Sequence, residues 1–169
     1  MDHADHVRLI RGGVGPSGGN WADLGAGRGA FTLALAELLG AGGSITAVDR
    51  DRRALRELSE SMAARFPSTE LEVVAGDFTR DHGIDDLDGV VMANSLHFLR
   101  DKALGADRLR RRLRPDPRAR LGAEPVPRQY LRRRECSQLA RDLVRALTGA
   151  RLIDEYRFML LIYHPRSDA

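Results

Sequence analysis

The polar side chains of clearest chemical use in this 169-residue chain fall in four clusters, each at the end of a short apolar run. The first is Asp23-Leu24-Gly25-Ala26-Gly27-Arg28-Gly29, the second Val48-Asp49-Arg50, the third Gly76-Asp77-Phe78 and the fourth Asn94-Ser95-Leu96-His97. Alternate glycines let backbone N–H groups approach a ligand and let a following helix pack tightly. A carboxylate ending a second strand can accept both hydrogen bonds of a ribose diol, and one after a third strand can accept from an exocyclic amine such as that of adenine. His97, with an ordinary imidazole pKa of about 6.5, suits a base that takes a proton from a hydroxyl or an amine. Together these describe a site for a nucleotide-like ligand. Each also has a purely structural use: Asp49 and Asp77 as helix N-caps or turn formers, Phe78 as core, His97 as a partly buried ring.

Such residues need elements to hold them. Residues 3–10 predict a short helix, and the glycine-rich stretch 12–19 a loop. Residues 20–24 read as a buried strand, and 30–39 as a helix with Phe31, Leu35, Leu38 and Leu39 at helical spacing. A β-branched strand over 44–49 precedes an amphipathic helix over 51–65, which carries Leu55, Leu58 and Met62 on one face. Strands follow at 71–75 and 89–93. Strands alternating with helices predict an α/β fold with a parallel sheet, whose ligands bind at the carboxyl ends of the strands. Beyond residue 100 the pattern predicts helices over 102–113 and 134–147 and a last strand over 158–163.

Two cofactors fit the first loop. Gly25-Ala26-Gly27-Arg28-Gly29-Ala30 satisfies G-x-G-x-x-A, with Asp49 lying 24 positions beyond Gly25, as in a nicotinamide dinucleotide site. The same residues place an acid two positions before a G-x-G-x-G loop, which suits a cationic amino-acid ligand and repels a pyrophosphate. In that form the loop resembles the first motif of the class I S-adenosylmethionine-dependent methyltransferases. Residues 45–50 look like that family's ribose-binding strand, Ala75-Gly76-Asp77-Phe78 like its adenine-binding turn, and residues 88–97 like its fourth-strand segment beside the methyl group. The resemblance covers about residues 3–104 and implies a Rossmann-like sheet with helices on both faces and S-adenosylmethionine as cofactor. It also implies residue roles. Asp23, Gly25, Gly27 and Gly29 would cradle the methionine part, Asp49 would hold the ribose, and Arg50 would flank the adenine. Asp77 and Phe78 would receive the adenine, Asn94 would lie near the sulfonium, and His97 would border the acceptor pocket.

The resemblance stops near residue 105. In the family, a phrase like Leu113-Arg114-Pro115 leads through paired glycines into an apolar fifth strand; here residues 116–123 cannot make a buried strand. An incomplete or irregular C-terminal half is therefore expected, within a single domain divided at 1–104, 105–134 and 135–169. The net charge of +3 is uneven: residues 1–104 carry 11 basic and 16 acidic side chains, whereas residues 105–134 carry 11 arginines and 3 acids. Of 27 basic residues 26 are arginine, a skew that suggests GC-rich coding and weakens the high pI as a sign of a nucleic-acid partner. Residues 105–134 are an insertion, a lid over the acceptor pocket or an out-of-frame stretch, and the last would leave an impaired enzyme. Cys136 is the only cysteine, which excludes an intramolecular disulfide, and no metal site is expected. No apolar run reaches the roughly 18 residues of a membrane helix, so a cytoplasmic protein without membrane contact is the expectation. The expected activity is methyl transfer to a small-molecule acceptor. No N-P-P-Y-type motif follows the fourth strand, which argues against methylation of DNA adenine or glutamine. The alternatives are a nicotinamide-dependent oxidoreductase and a noncatalytic nucleic-acid-binding module built on residues 105–134.

Overall fold

The computed structural model describes residues 2–14, 18–93, 95, 108–109, 111–114, 150–155 and 158–163. Helix α1, His3–Ile10, starts from a reciprocal cap in which the Asp2 carboxylate accepts from the Asp5 N–H and the Asp5 carboxylate accepts from the Asp2 N–H. Then come β1 (Gly19–Leu24), α2 (Ala30–Leu39), β2 (Gly43–Asp49), α3 (Arg52–Arg65), β3 (Glu70–Ala75) and β4 (Gly89–Ala93). The last strands are β5 (Ala150–Glu155) and β6 (Phe158–Tyr163). All six strands form one sheet in the order β3-β2-β1-β4-β6-β5. β1 to β4 are mutually parallel, β6 runs antiparallel to β4, and β5 antiparallel to β6.

Strand alternation sorts the core into two sides. Trp21, Ile45, Ala47 and Val91 face Phe31, Leu35 and Leu39 of α2 and Leu55, Leu58 and Met62 of α3 in one buried cluster, which Val7 and Ile10 of α1 extend. Placing α2 and α3 on the same face is what two right-handed crossovers moving the same way across a sheet produce. Each buried Leu or Met side chain contributes about 1.5–3 kcal/mol of transfer free energy. On the opposite face Leu24 and Met92 meet Leu109, from the helical residues Arg108, Leu109, Arg111 and Arg112. The expected Rossmann-like arrangement, with helical structure against both faces, is what forms. β3 is the sheet edge, and its Val73 is exposed.

The C-terminal half departs from a regular parallel sheet as anticipated. Leu113 forms an isolated parallel bridge with Leu87, in line with where a fifth parallel strand would start. From Val90 onward, however, the free edge of β4 pairs with β6, the antiparallel arm of a hairpin with β5. The strand expected at 158–163 is therefore present. β5 was not anticipated, because Arg151, Asp154 and Glu155 break any apolar run there and only the pairing with β6 makes it a strand. Of the helix expected at 102–113, residues 108, 109, 111 and 112 are helical; the rest of it, and the helix expected at 134–147, lie outside the described residues. No helix among the described residues is long and apolar enough to cross a membrane.

Gly89 opens β4 against the indole of Trp21: a Cβ there would stand 2.4 Å from the ring's Cζ3 and 2.5 Å from its Cη2. Trp21 is fully buried and cannot retreat. Gly89→Ala is expected to lower stability by about 1–3 kcal/mol through overpacking. Urea unfolding followed by the fluorescence of this single tryptophan checks it, and an unchanged midpoint would contradict it.

Candidate functional site

The loop from β1 to α2 lies at the carboxyl edge of the parallel strands, and its shape depends on glycine for two different reasons. Gly25 and Gly29 have φ of +87° and +81°, and each is crowded. A Cβ at Gly25 would lie 2.5 Å from Ser95 Cβ, and one at Gly29 would lie 2.1 Å from Leu58 Cδ1. Gly27, at φ +54°, faces open space. The first two thus let the loop pass close to its neighbours, whereas Gly27 leaves its outer side clear. The N–H groups of Gly25 and Ala26 donate to the Val48 carbonyl at 2.8 and 3.1 Å. Ser95 Oγ donates to the Leu24 carbonyl at 2.6 Å, and the Gly76 N–H to the Asp49 carbonyl at 2.9 Å. The ends of all four parallel strands are tied together by these bonds.

Three carboxylates stand at these strand ends in three different environments. Asp23 is buried; its Oδ2 accepts from Thr32 Oγ1 at 2.7 Å, and its Oδ1 is buried with no hydrogen-bond partner. Burial raises its pKa from 3.8 to about 6, against the Thr32 hydrogen bond and with a further push from the Asp49 charge. Asp49 is half-buried: Oδ2 accepts from the Gly27 N–H at 2.7 Å and Oδ1 from the Asp51 N–H at 2.9 Å. Asp77 is held by its own turn, Oδ1 accepting from the Thr79 N–H at 3.0 Å and from Thr79 Oγ1 at 2.7 Å, while Oδ2 pairs with Arg50. The Thr79 hydroxyl, followed by Arg50, holds its pKa down at about 2.

The structure therefore brings Asp23, Gly25, Gly27, Gly29, Asp49, Arg50, Asp77 and Phe78 to one edge of the sheet. The Phe78 ring lies beside the loop, 3.7 Å from where a Gly25 Cβ would stand, and lines a small cavity with Leu24 and Met92. Asn94 and His97 lie outside the described residues. Sequence reasoning placed Leu58 on an apolar helix face and Ser95 within the fourth cluster but gave neither a role at the loop, and it did not single out Thr32 or His82. The His82 Nε2 donates to the Asp77 carbonyl at 2.8 Å, and its ring occupies the space over Gly76. Thr32 and His82 act on aspartates nine and five residues away, whereas Leu58 and Ser95 reach the loop from segments far apart in sequence. The described residues contain no group of side chains suited to a metal ion.

Comparison with known proteins agrees with this geometry. A family model described as a methyltransferase domain matches residues 22–118, and the chain belongs to that family. Its fold is that of S-adenosylmethionine-dependent methyltransferases. A structure of such an enzyme from Aquifex aeolicus superposes with a TM-score of 0.62 at 17% identity, over 94% of this chain and 89% of that one. A second from Methanococcus maripaludis gives 0.65 at 18%, over 96% and 84%. The glycopeptide N-methyltransferase MtfA gives 0.60 at 18%, over 96% and 94%. None of the curated proteins compared with the chain matches it in sequence.

The buried carboxyl of Asp23 makes stability depend on pH. Its pKa is higher folded than unfolded, so the folded state binds its proton more tightly, and the resulting stability is present below about pH 4 and lost as pH rises through about 6. Asp23→Asn keeps the shape and removes the charge. Without ligand, this variant is expected to gain on the native protein as pH rises, from little difference at pH 4 to about 2–3 kcal/mol at pH 7.5. Urea denaturation across that range reads the difference directly, and a gap independent of pH would refute the assignment.

Proposed function

We propose that this chain binds S-adenosylmethionine across the carboxyl ends of β1, β2 and β3 and transfers its methyl group to a small-molecule nucleophile. One observation carries the reading: a fully buried carboxylate, with one oxygen lacking a partner, sits at the root of a glycine loop. Such an oxygen is costly to leave unpaired, and a cationic ammonium donor would satisfy it. A pyrophosphate would meet the same charge unfavourably, which counts against the nicotinamide dinucleotide that the glycine spacing and Asp49 also fit.

The other acceptors fit by counting lone pairs. A carboxylate offers about four acceptor sites. Asp49 uses one for Gly27 and one for Asp51, which leaves capacity for a ribose diol while the loop stays anchored. Asp77 uses two for Thr79 and one for Arg50, leaving room for one donor such as the adenine amine. Phe78 supplies an apolar face, and Gly25, Gly27 and Gly29 let the backbone lie against the methionine part. When bound, the cofactor supplies an electrophilic methyl group on a sulfonium. The chain contributes alignment, which is worth roughly 7–11 kcal/mol for well-placed reactants. From the family resemblance, Asn94 is assigned to the neighbourhood of the sulfonium and His97 to the border of the acceptor pocket, where imidazole chemistry suits it to take the acceptor's proton.

Calorimetric titration with S-adenosylhomocysteine, and separately with NADH, tests the reading. The first is expected to bind and the second not. Affinity should rise with pH between about 5 and 7, because ligation needs the ionised form of Asp23, and Asp23→Asn should flatten that rise. Asp49→Ala should weaken binding by about 1.5–3 kcal/mol. NADH binding without S-adenosylhomocysteine binding would overturn the proposal.

His97 is checked separately, with an acceptor found by screening. His97→Ala is expected to leave S-adenosylhomocysteine affinity within about 1 kcal/mol yet slow methyl transfer at least about tenfold, the lower range of general-base effects. Equal losses of binding and turnover would make it a structural support instead.

A further inference from the structure

The Asp77–Arg80 turn, which carries the candidate acceptor for adenine, is held from behind by His82. The Asp77 carbonyl accepts twice, from the Arg80 N–H at 2.8 Å and from His82 Nε2 at 2.8 Å. Two donors fill both lone pairs of that oxygen. The carbonyl shares one trans peptide group with the Phe78 N–H, and in such a planar group the two point in opposite directions. Fixing the oxygen on the side of residues 80–82 therefore aims the Phe78 N–H the other way. Among the described residues nothing accepts from that N–H. The imidazole also lies against the backbone before the turn: a Cβ at Gly76 would stand 2.5 Å from its Cε1 and 3.0 Å from its Nε2. Gly76 is pinned in turn by its N–H bond to the Asp49 carbonyl at 2.9 Å. The half-buried ring is set by a short turn of its own, in which Asp81 Oδ1 accepts from the Gly83 N–H at 3.0 Å and Ile84 is buried.

We infer that His82 is a positioning residue that sets the specificity of the site for the purine base, a role that rests on the cofactor reading. Adenine presents a 6-amino donor beside the N1 acceptor. Asp77 has one acceptor position left, and the Phe78 N–H beside it is a donor, so the turn offers the complementary pair. A 6-oxo purine carries the reverse pattern, an acceptor at O6 and a donor at N1. It would set acceptor against acceptor and donor against donor, and polar groups left unpaired in this way are what make a site reject a close analogue. The selection thus depends on the direction of one peptide plane. Arg50 and Thr79 hold only the side chain of Asp77. The Arg80 N–H alone would leave one lone pair of the Asp77 oxygen open and the plane free to tilt; His82 removes that freedom. Because the imidazole stands on the carbonyl side of the peptide and the base on the N–H side, it acts through the backbone and not by contact.

Calorimetric titration of the whole chain with S-adenosylhomocysteine, and with the analogue that carries inosine in place of adenosine, tests the role, the weaker ligand being read by competition with the stronger. The native chain is expected to prefer the adenosine compound by at least about tenfold. His82→Phe keeps a ring over Gly76 and removes the donor. It should weaken S-adenosylhomocysteine binding about fivefold, the worth of one net hydrogen bond, and leave the affinity for the inosine analogue as it was, so that the preference falls by the same factor. His82→Gln keeps an N–H at similar reach without the ring, and should hold the preference within about twofold of the native value. A general loss of stability would move both affinities together and leave their ratio untouched. A preference unchanged in His82→Phe, or lost in His82→Gln, would make His82 a packing residue only and overturn the inference while the cofactor reading stands. Equal binding of the two compounds by the native chain would overturn it together with the assignment of Asp77 to the adenine amine. No binding of S-adenosylhomocysteine by the native chain would remove the cofactor reading itself, and this role with it.

Discussion

The closeness of the β1–α2 loop to the chain around it is the constraint on which the rest of the site depends. Only glycine can stand at position 29, before α2, because Leu58 of α3 occupies the space a side chain would need, and only glycine at position 25, after β1, because Ser95 fills the equivalent space from beyond β4. The loop is thus gripped from both neighbouring crossovers. A positive φ at each position makes any other residue strained as well as too large. Because the same loop donates to the Val48 carbonyl and to the Asp49 carboxylate, its position also sets the ends of β1 and β2. Changing one glycine would move two strand ends and a helix start together.

Around this loop, environment separates three aspartates of identical chemistry. Asp77 sits in a turn that supplies two donors from Thr79 and a cation from Arg50, and it remains ionised far below neutral pH. Asp49, with two backbone donors, acts as a brace between the loop and the start of α3. Asp23 has a single donor and no solvent, so its charge is held at a cost to the fold. A buried, half-satisfied carboxylate is the kind of local conflict that persists at functional sites, where the ligand supplies what the protein withholds.

The second organising feature is the far edge of β4. A parallel fifth strand would need an apolar run after Leu113, and the residues that follow do not provide one. Leu113 makes one bridge to Leu87, and the edge then passes to β6 running the other way. An unpaired edge exposes a row of backbone donors and acceptors, and the β5–β6 hairpin covers it. The order β3-β2-β1-β4 is left intact, which is the portion that positions the glycine loop and the three carboxylates.

Local pattern was enough for the elements that carry the site. The helices expected at 3–10 and 30–39 and the strand at 89–93 match α1, α2 and β4 residue for residue, and Asp51, expected as the first residue of the helix over 51–65, stands one place before α3 as its cap. Capping residues, helical spacing and β-branched runs act over a few neighbours, so they are visible in sequence. The strand-end polar residues were legible for the same reason. β5 was not, because its polar residues suppress the signal and its conformation comes from a partner strand. Nor were the contacts that give each site residue its character: Thr32 on Asp23, Leu58 beneath Gly29, Ser95 beside Gly25 and His82 on the Asp77 carbonyl. The sequence by itself determined which elements form and which polar residues end the strands. Only the tertiary structure decided which aspartate is stripped of solvent and which gains a cation, since the packing over Asp23 and the pairing of Arg50 with Asp77 come from neighbours that chain order does not place together, although the Thr79 bonds to Asp77 are local.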